Sequence, residues 1–360
     1  MMFVSPFLKK VVYPLLSASG YFRHTSACGL AIVTYHGILP QSYNPIDSVL
    51  DGNLVTAQAF RRQLRFVTAN YNVISPEDVL DWIRGTRSLP ERAVLLTCDD
   101  GLLNNLTDML PLLSQEGLRC LFFVTGASAD DVRGTLWYEE LLVLFLRARS
   151  EEFVISGEGV TIRFDLRLPQ QRHMAWWSAV RTLSQLNAEK RRRFLLEASA
   201  QMEMPEISSA SESLNRRFGL LTVAELRELA AAGMAIGAHT VSHPVLPEMD
   251  HDLARSEILT SRTRLEEALK TTIWAFAYPF GDPASVNHAL LALAQEAGYE
   301  AAFVNYGGGL GVPLPKFALP RVHVTAKMQL SELDAHLSGF FQNWRRRAGR
   351  DVPILDMDPG

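Results

Sequence analysis

Two adjacent carboxylates, Asp99 and Asp100, follow the apolar segment 93–96 and precede Gly101. Active sites of α/β folds lie at the carboxyl ends of parallel strands, so carboxylates at such a position are candidates for chemistry. Neighbouring residues leave a strand end in different directions, which allows one carboxylate to bind a metal while the other faces a substrate. The alternative is an ordinary Asp-Asp-Gly turn without a chemical role.

Two histidines, His239 and His243, follow the strand-like segment 234–238. Their i, i+4 spacing predicts that both side chains share one face of a helical turn. Two imidazoles on one face suit a single divalent cation, because neutral histidine nitrogens are common metal ligands. The spacing alone is a weak signal, so its weight depends on the carboxylates elsewhere in the chain.

Two further segments end in residues that can take part in catalysis. Segment 276–281 runs from an apolar strand into a Pro and Gly turn around Phe280, where a backbone N–H can be directed at a developing oxyanion. Segment 319–324 carries Arg321 and His323 two residues apart, so both side chains point to one side of a strand. His323 is either catalytic or structural, and His36, at the end of the first predicted strand, either contacts substrate or packs.

These residues are positioned by an alternation of apolar, β-branched segments with helical patterns, which predicts βα units and a parallel sheet. Strands are predicted at 30–35, 72–75, 93–97, 119–125, 234–238, 273–278, 301–304 and 319–324. Helices are predicted at 56–70, 76–85, 106–117, 222–233, 250–270 and 287–298. Gly117, Gly233 and Gly298 are expected to end three of these helices. Thr222 and Glu225 form a predicted capping box.

One region, about 127–219, interrupts this alternation and is predicted to be a mainly helical insertion. Its helices are expected at 136–149, 170–186 and 188–201, with a hairpin over 153–166 that turns near 157–159. The basic runs 190–193 and 345–347 are predicted to face solvent rather than to form binding sites, because charge runs usually do so.

The composition is that of a soluble globular protein, with 360 residues, 48% hydrophobic and 21% charged residues and a net charge of −4. The length fits two domains or one α/β barrel with an insertion. The slightly acidic balance argues against a nucleic-acid partner bound through its phosphates, which would need a basic face.

Cysteine usage and the N-terminal segment bear on the location of the protein. The three cysteines, Cys28, Cys98 and Cys120, show no Cys-x-x-Cys spacing, so we expect reduced thiols rather than disulfides. Segment 1–29 is amphipathic, with Lys9 and Lys10 among apolar residues, and has little likeness to a signal peptide. It is expected either to lie on an anionic membrane surface or to pack on the barrel. These features predict a cytoplasmic protein. The amphipathic segment also allows peripheral contact with the inner face of the membrane.

In their order along the chain, these motifs resemble those of the polysaccharide deacetylases of the NodB-homology type, carbohydrate esterase family 4. Residues 97–101 are similar to the family's T-F-D-D-G motif, and residues 239–243 are similar to its H-[ST]-x-x-H motif. The resemblance covers about 30–126 and 220–325. Residues 34–37 and 137–140 resemble a Tyr-His element and the start of a helical insertion in the branch associated with exopolysaccharides.

The resemblance implies roles for the candidate residues. Asp100, His239 and His243 would bind a divalent metal, with zinc the first choice and cobalt, manganese or nickel as alternatives. Asp99 would be the general base. Further roles are assigned by position: His323 as the general acid, the Phe280 backbone as the oxyanion donor, and His36, Tyr278 and Pro279 as substrate contacts.

The chain departs from the family pattern at several positions. Cys98 replaces the usual Phe, a change that we expect to affect only packing, because a buried cysteine behaves as a small hydrophobe. Ala277 stands where many members have an Arg that orients the base, and Arg321 is predicted to supply that charge from a neighbouring strand. The Asp and Trp motif of some members is not evident, and Val322-His323 matches the last motif, Leu-x-His, only loosely.

The resulting prediction is an α/β fold, a distorted (β/α) TIM-like barrel with fewer than eight regular strands and a mainly helical insertion. Residues 30–345 would form the barrel with its insertion, and 346–360 a C-terminal tail. The predicted function is metal-dependent removal of N-acetyl groups from amino sugars of a polysaccharide or its lipid-linked precursor. The alternatives are a deacylase or deformylase of a small or lipid-linked sugar, and a non-catalytic glycan-binding module.

Overall fold

The computed structural model describes residues 6–24, 29–148, 152–157, 160–201, 211–350 and 353–355. Seven parallel strands form a closed barrel, in which the first strand pairs with both the last one and the fifth. The barrel strands are β1 (Leu30–Tyr35), β5 (Ala93–Cys98), β6 (Leu121–Val124), β9 (Ala235–Ala238), β10 (Ala275–Ala277), β11 (Ala301–Gly307) and β12 (Leu319–His323). An eighth parallel strand, β4 (Asn72–Ile74), pairs with the N-terminal half of β5. The predicted distorted barrel is therefore confirmed.

Helices cover the barrel and follow the predicted alternation. The helices of the βα units are α4 (Ala57–Asn70), α5 (Pro76–Ile83), α6 (Leu110–Gln115, preceded by a π-helical turn at Asn105–Met109), α11 (Val223–Ala231), α12 (His251–Leu269), α13 (His288–Glu296) and α14 (Leu330–Leu337). Gly117, Gly233 and Gly298 have positive φ just after three of these helices, as predicted. The Thr222 and Glu225 side chains form the predicted capping box at the start of α11.

Side chains of the barrel strands alternate between two environments, as the period of two requires. Outward-facing residues pack under the helices, and Cys98 is one of them, so its replacement of Phe is a packing change. Inward-facing residues form a second core that is apolar near the start of the strands, for example Leu30 and Leu95. The same inward positions become polar toward the strand ends, where Asp99 and Arg321 lie.

The region between β6 and α11 forms the mainly helical insertion. It contains α7 (Trp137–Arg147), the antiparallel hairpin β7 (Glu152–Gly157) and β8 (Val160–Asp165), α8 (Pro169–Ser184), α9 (Ala188–Gln201) and α10 (Glu212–Phe218). The hairpin was predicted, but residues 158 and 159 at its turn lie outside the described residues. These elements build a separate small core from residues such as Phe145, Phe164 and Phe194.

A buried ion network attaches the insertion to the loop after β1. The guanidinium of Arg217 lies 2.8 Å from a carboxylate oxygen of Asp51 and 2.8 Å from one of Glu139. Asp51 ends the short helix α3 (Ser48–Asp51), and this loop also holds the short paired strands β2 (Ile38–Leu39) and β3 (Val55–Thr56), which the sequence pattern did not predict. The α3 loop and the insertion, which this network joins, both lie next to the cavity described below.

The N-terminal helices pack on the side of the barrel. They comprise a π-helical turn (Leu8–Val12), α1 (Tyr13–Ala18) and α2 (Tyr21–His24), and they contact α14 and the last helix, α15 (Phe340–Arg347). Tyr13 and Phe22 are buried there, and the Lys9 ammonium lies 2.6 Å from the Glu332 carboxylate. No helix in the described part of the chain is long and apolar enough to cross a bilayer. Cys28 lies outside the described residues, and the proposed domain boundaries stay predictions.

Candidate active site

The parallel register of the barrel brings the predicted site residues to one level. Tyr35 pairs with Cys98, and Thr34 pairs with His323, so the residues that follow β1 and β5 lie beside the end of β12. The backbone N–H of Asp99 donates to the Tyr35 carbonyl, and that of His239 donates to the Val124 carbonyl. These bonds extend the strand ladders by one residue and fix where each side chain leaves the barrel.

Asp99 is buried and held by Arg321 from the opposite side of β1. Both terminal nitrogens of Arg321 donate to the two carboxylate oxygens of Asp99, each at 2.7 Å, while its Nε donates to the Val304 carbonyl. Burial alone would raise the pKa of Asp99, but the guanidinium charge outweighs burial and holds this pKa below its usual range. Asp99 is therefore an ionised carboxylate in a fixed orientation. The geometry matches the predicted substitution of Arg321 for the charge missing at Ala277.

Asp100, His239 and His243 form one buried cluster with the geometry of a metal site. The Nε2 atoms of the two histidines lie 3.6 and 3.4 Å from the same oxygen of Asp100. One potential ligand atom from each residue lies within 4.8 Å of the other two. This Asp100 oxygen is buried without a hydrogen-bond partner among the described residues, so the cluster has the chemistry of a site that a cation completes.

The protonation of the cluster suits a divalent cation. Burial lowers the pKa of His239 to about 4, with the charge of His243 as the next cause, so the His239 ring is neutral near pH 7. His239 Nδ1 lies 2.7 Å from the Ala277 carbonyl, which makes Nδ1–H the donor and leaves the Nε2 lone pair for a metal. Burial opposes ionisation of Asp100, but its close contact with His243 and the charges of the surrounding histidines lower its pKa.

The His239–His243 segment is a loop, so the predicted helical turn is wrong. Thr240 and His243 have φ values of 62° and 56°, which a right-handed helix does not allow. The loop nevertheless brings the two rings to a centroid distance of 4.8 Å. Asp100 and Phe280 also have positive φ, at 80° and 60°. Strained residues of this kind cluster at functional sites when the surrounding structure holds them in place.

Three side chains hold this loop in place. Glu257 of α12 accepts hydrogen bonds from the backbone N–H groups of Val241 and Ser242, each at 2.9 Å. Arg191 of α9 donates to the Ser242 hydroxyl oxygen at 2.9 Å, and the Trp137 indole N–H of α7 donates to the His243 carbonyl at 3.2 Å. The insertion therefore helps to position the candidate metal ligands.

Asp99 and the metal cluster open into a cavity of about 590 Å³, within the range of small-molecule sites. His36 and His323 line it with their ring centroids 4.8 Å apart. Asn305 and Arg345 also line it, and its aromatic wall consists of Tyr138, Trp176, Trp177 and Phe280. The cavity gives both polar and apolar contacts to a molecule bound beside Asp99.

Two predicted substrate contacts do not reach this cavity. Tyr278 is fully buried in the outer core, where its hydroxyl donates to the Phe317 carbonyl. Pro279 is also buried and accepts the Gly281 N–H in the tight turn. Inward and outward positions alternate along β10, and Tyr278 falls on the outward side, whereas Pro279 is taken up by the turn. Neither residue lines the cavity, so the structure does not place these two predicted contacts at the site. Phe280 does reach the cavity, with its ring 4.8 Å from that of His243.

Two basic residues predicted to face solvent have other environments. Arg191, within the run 190–193, is buried, stacks over the Trp137 ring at 4.7 Å and holds Ser242. Arg345, within the run 345–347, lines the cavity. Single members of a charge run can turn inward at helical spacing, and the run itself does not indicate which one does. The aromatic wall was also missed, although the resemblance at 137–140 pointed to its first residues.

His323 has a distinct protonation state. Burial lowers the pKa of His323 to about 3, and the nearby His36 charge is the next cause. His323 is therefore neutral in the free protein near pH 7. Together the cavity offers an ionised carboxylate, a set of metal ligands and a neutral imidazole around one space, which is an arrangement suited to hydrolysis of an amide or ester.

A sequence model of the family "Polysaccharide deacetylase" matches residues 158–302, which include His239 and His243 but not the Asp99–Asp100 pair. Comparison with curated protein sequences gives no match.

Several solved structures share the fold. Streptococcus pyogenes deacetylase PplD in complex with acetate has a TM-score of 0.55 and 18% identity over 87% of this chain and 99% of its own. IcaB from Ammonifex degensii has a TM-score of 0.54 and 18% identity over 86% and 97%. A de-N-acetylase from Aggregatibacter actinomycetemcomitans has a TM-score of 0.54 and 13% identity over 86% and 99%. The matched family model and the common barrel agree with the motifs: the chain is similar to polysaccharide deacetylases in sequence over residues 158–302 and in fold over most of its length.

Proposed function

We propose that the protein is a metal-dependent deacetylase that hydrolyses N-acetyl groups of amino sugars in an exopolysaccharide or its lipid-linked precursor. The observation that carries the proposal is the pairing of two environments at one strand end. Asp99 is clamped by Arg321, whereas its neighbour Asp100 faces two histidine nitrogens. Hydrolysis needs such a division, because a base and a metal ligand must act on the same water from different sides.

Asp100, His239 and His243 are the residues that would hold the cation. Two imidazoles and one carboxylate suit zinc, with cobalt, manganese or nickel as alternatives. A divalent cation held there supplies Lewis-acid chemistry, because it polarises an amide carbonyl and makes water a better nucleophile near neutral pH.

The chain's own residues account for the proton transfers. Asp99 accepts the proton of the attacking water on a carboxylate oxygen, since each oxygen keeps a lone pair beyond its bond to Arg321. The Phe280 backbone N–H is the candidate donor to the oxyanion. His323 is the candidate acid for the departing amine, and it must gain its proton within the substrate complex because burial lowers its pKa in the free protein.

The proposal is tested by acetate release from N-acetylglucosamine oligomers, measured on metal-stripped protein and after addition of zinc, cobalt, manganese or nickel. We expect no release from stripped protein and recovery with at least one cation. The His239→Ala variant should lose both cation binding and release. Full activity of the stripped protein would contradict metal dependence.

The size of the cavity supports a second candidate substrate. The insertion forms a wall of this cavity of about 590 Å³. A bounded space of this size suits a short or lipid-linked sugar, whereas a long polymer would need an open groove. The same assay with O-acetylated, N-formylated and lipid-linked N-acetyl sugars separates these substrates by kcat/KM. Tight cation binding without turnover of any of them would instead favour a non-catalytic glycan-binding module.

We also propose that the protein acts at the cytoplasmic side of the membrane, with its N-terminal helices against anionic lipids. Phe7, Val11 and Leu15 follow one another at four-residue intervals and are exposed, with Lys10 exposed beside them. An apolar row flanked by positive charge is typical of a helix that lies on an anionic membrane.

This location is tested by co-sedimentation with vesicles of phosphatidylglycerol or of phosphatidylcholine. The double variant Phe7→Ser, Leu15→Ser should lose binding to the anionic vesicles, whereas Val132→Ser, at an exposed position of the insertion, should not. Absence of binding by the unmodified protein would contradict membrane contact.

A further inference from the structure

A continuous row of aromatic rings runs from the histidine cluster to the edge of the cavity. The His243 ring centroid lies 4.8 Å from those of Tyr138 and Phe280. The Phe280 ring lies 5.4 Å from that of Trp177, which lies 5.6 Å from Trp176. Three of these rings belong to the insertion, so the insertion supplies most of the apolar wall beside the site.

The two tryptophans of this wall have different environments. The Trp176 indole N–H donates to the Tyr138 carbonyl at 2.7 Å, which ties this ring to the insertion. Trp177 lines the cavity and keeps 36% of its surface exposed. A large, partly exposed aromatic ring in a concave site retains apolar area that a ligand can cover.

The same cavity is also lined by polar atoms that need partners. Asn305 Oδ1, His36 Nδ1 and His323 Nε2 are buried, and the described residues offer them no hydrogen-bond partner. All three side chains line the cavity. Because a buried polar atom without a partner is costly, these atoms indicate that a polar ligand or water occupies the space in front of them.

This combination of walls matches the surface of a sugar. A pyranose ring has apolar C–H faces and carries hydroxyl or amide groups at its rim, so it can stack on an aromatic ring while its rim forms hydrogen bonds. We propose that Trp177 forms a subsite for the pyranose ring next to the one whose acetyl group faces Asp99. This inference rests on the proposed function and assigns the insertion a role in binding a glycan of at least two sugar units.

The test compares Trp177→Ala and Trp177→Phe with Trp344→Ala. Trp344 is a matched control because its exposure is 38% but it does not line the cavity. Calorimetry measures the binding of N-acetylglucosamine and its oligomers of two to six units. The values of kcat and KM are measured for the N-acetylglucosamine tetramer and for 4-nitrophenyl acetate. We expect Trp177→Ala to weaken tetramer binding and raise its KM about tenfold, equivalent to ~1.4 kcal/mol, with kcat unchanged.

Trp177→Phe should keep most of the affinity for the tetramer, and Trp344→Ala should keep all of it. The kcat and KM for 4-nitrophenyl acetate should be the same in all variants, because this ester has only one ring. Equal tetramer affinity in Trp177→Ala and the unmodified protein would overturn the inference, as would an equal loss in Trp344→Ala. Binding that depends on Trp177 without any acetate release would support the subsite while the proposed function fails. If the unmodified protein binds no oligomer, the subsite is refuted.

Discussion

The barrel end and the insertion contribute different kinds of side chain to the same cavity. The barrel end supplies buried groups that are charged or able to bind a metal. The insertion supplies aromatic rings that contact one another and end at a partly exposed tryptophan. The two sets are Asp99, Asp100, His239, His243 and Arg321 on the barrel side, and Tyr138, Trp176 and Trp177 on the insertion side.

On the proposed function, this difference assigns catalysis to the barrel end and selection of substrate to the insertion. Changes at the barrel end should reduce kcat or metal binding, because those groups act on the reacting atoms or orient the ones that do. A change at Trp177 should raise KM, because in the proposed subsite this ring contacts the bound sugar rather than the reacting atoms. The two regions meet at the His243 loop, which Glu257 holds from the barrel and Arg191 holds from the insertion.

The largest effect is expected for Arg321→Leu, which leaves the buried Asp99 carboxylate without its partner. The pKa of Asp99 should rise, kcat should fall about 10²- to 10³-fold, and the free energy of unfolding should fall by about 3 to 5 kcal/mol. Arg321→Lys keeps the charge but loses the two parallel hydrogen bonds. Its kcat and its free energy of unfolding should therefore lie between those of Arg321→Leu and those of the unmodified protein. Turnover of Arg321→Leu at the unmodified rate, with the protein folded, would show that the clamp has no part in catalysis.

Acid should weaken the folded protein through its buried neutral histidines. Burial lowers the pKa values of His239 and His336 to about 4 in the folded protein, below the value near 6.5 of an unfolded histidine. The unfolded state therefore binds more protons between pH 6.5 and 4, and stability is complete above this window and is lost as pH falls through it.

Each of these histidines contributes at most about 3 kcal/mol to that loss. Chemical unfolding of metal-stripped protein between pH 7.5 and 4.5 measures the dependence. His336→Gln should reduce the slope of stability with pH without changing metal binding at pH 7.5. A stability that does not change across the window would contradict the burial of neutral histidines.

The smallest effect is expected for Glu257→Gln, which removes the negative charge that accepts two backbone N–H groups of the His243 loop. Metal affinity should fall about tenfold, as for other residues that support metal ligands. Glu267→Gln, an exposed position on the same helix, is the matched control and should bind metal normally. Equal affinity in both variants would show that the loop keeps its shape without Glu257.

The fold and the centre of the site could be predicted from the sequence because both depend on patterns within short segments. Each barrel strand is a short apolar segment bounded by turn residues, and the period of two along 319–324 placed Arg321 and His323 on the same inward side. Asp99 and Asp100 were identifiable because they follow such a segment directly.

Other features depend on contacts between distant parts of the chain. The His239–His243 loop departs from helical geometry because Glu257, Arg191 and Trp137 hold it from three other elements. The inward turn of Arg191 follows from its stacking on Trp137, 54 positions earlier in the chain. Strand periodicity carries no information about such contacts, so the aromatic wall was not predicted.

The most direct test of the central claim is the comparison of Asp99→Asn with the unmodified protein, in which metal content and acetate release from N-acetylglucosamine oligomers are measured on the same sample. We predict that Asp99→Asn retains bound metal, because Asp100, His239 and His243 are unchanged, and that acetate release falls at least 10²-fold, as expected on loss of a general base. Acetate release at the unmodified rate from a metal-loaded Asp99→Asn variant would contradict the assignment of Asp99 as the base.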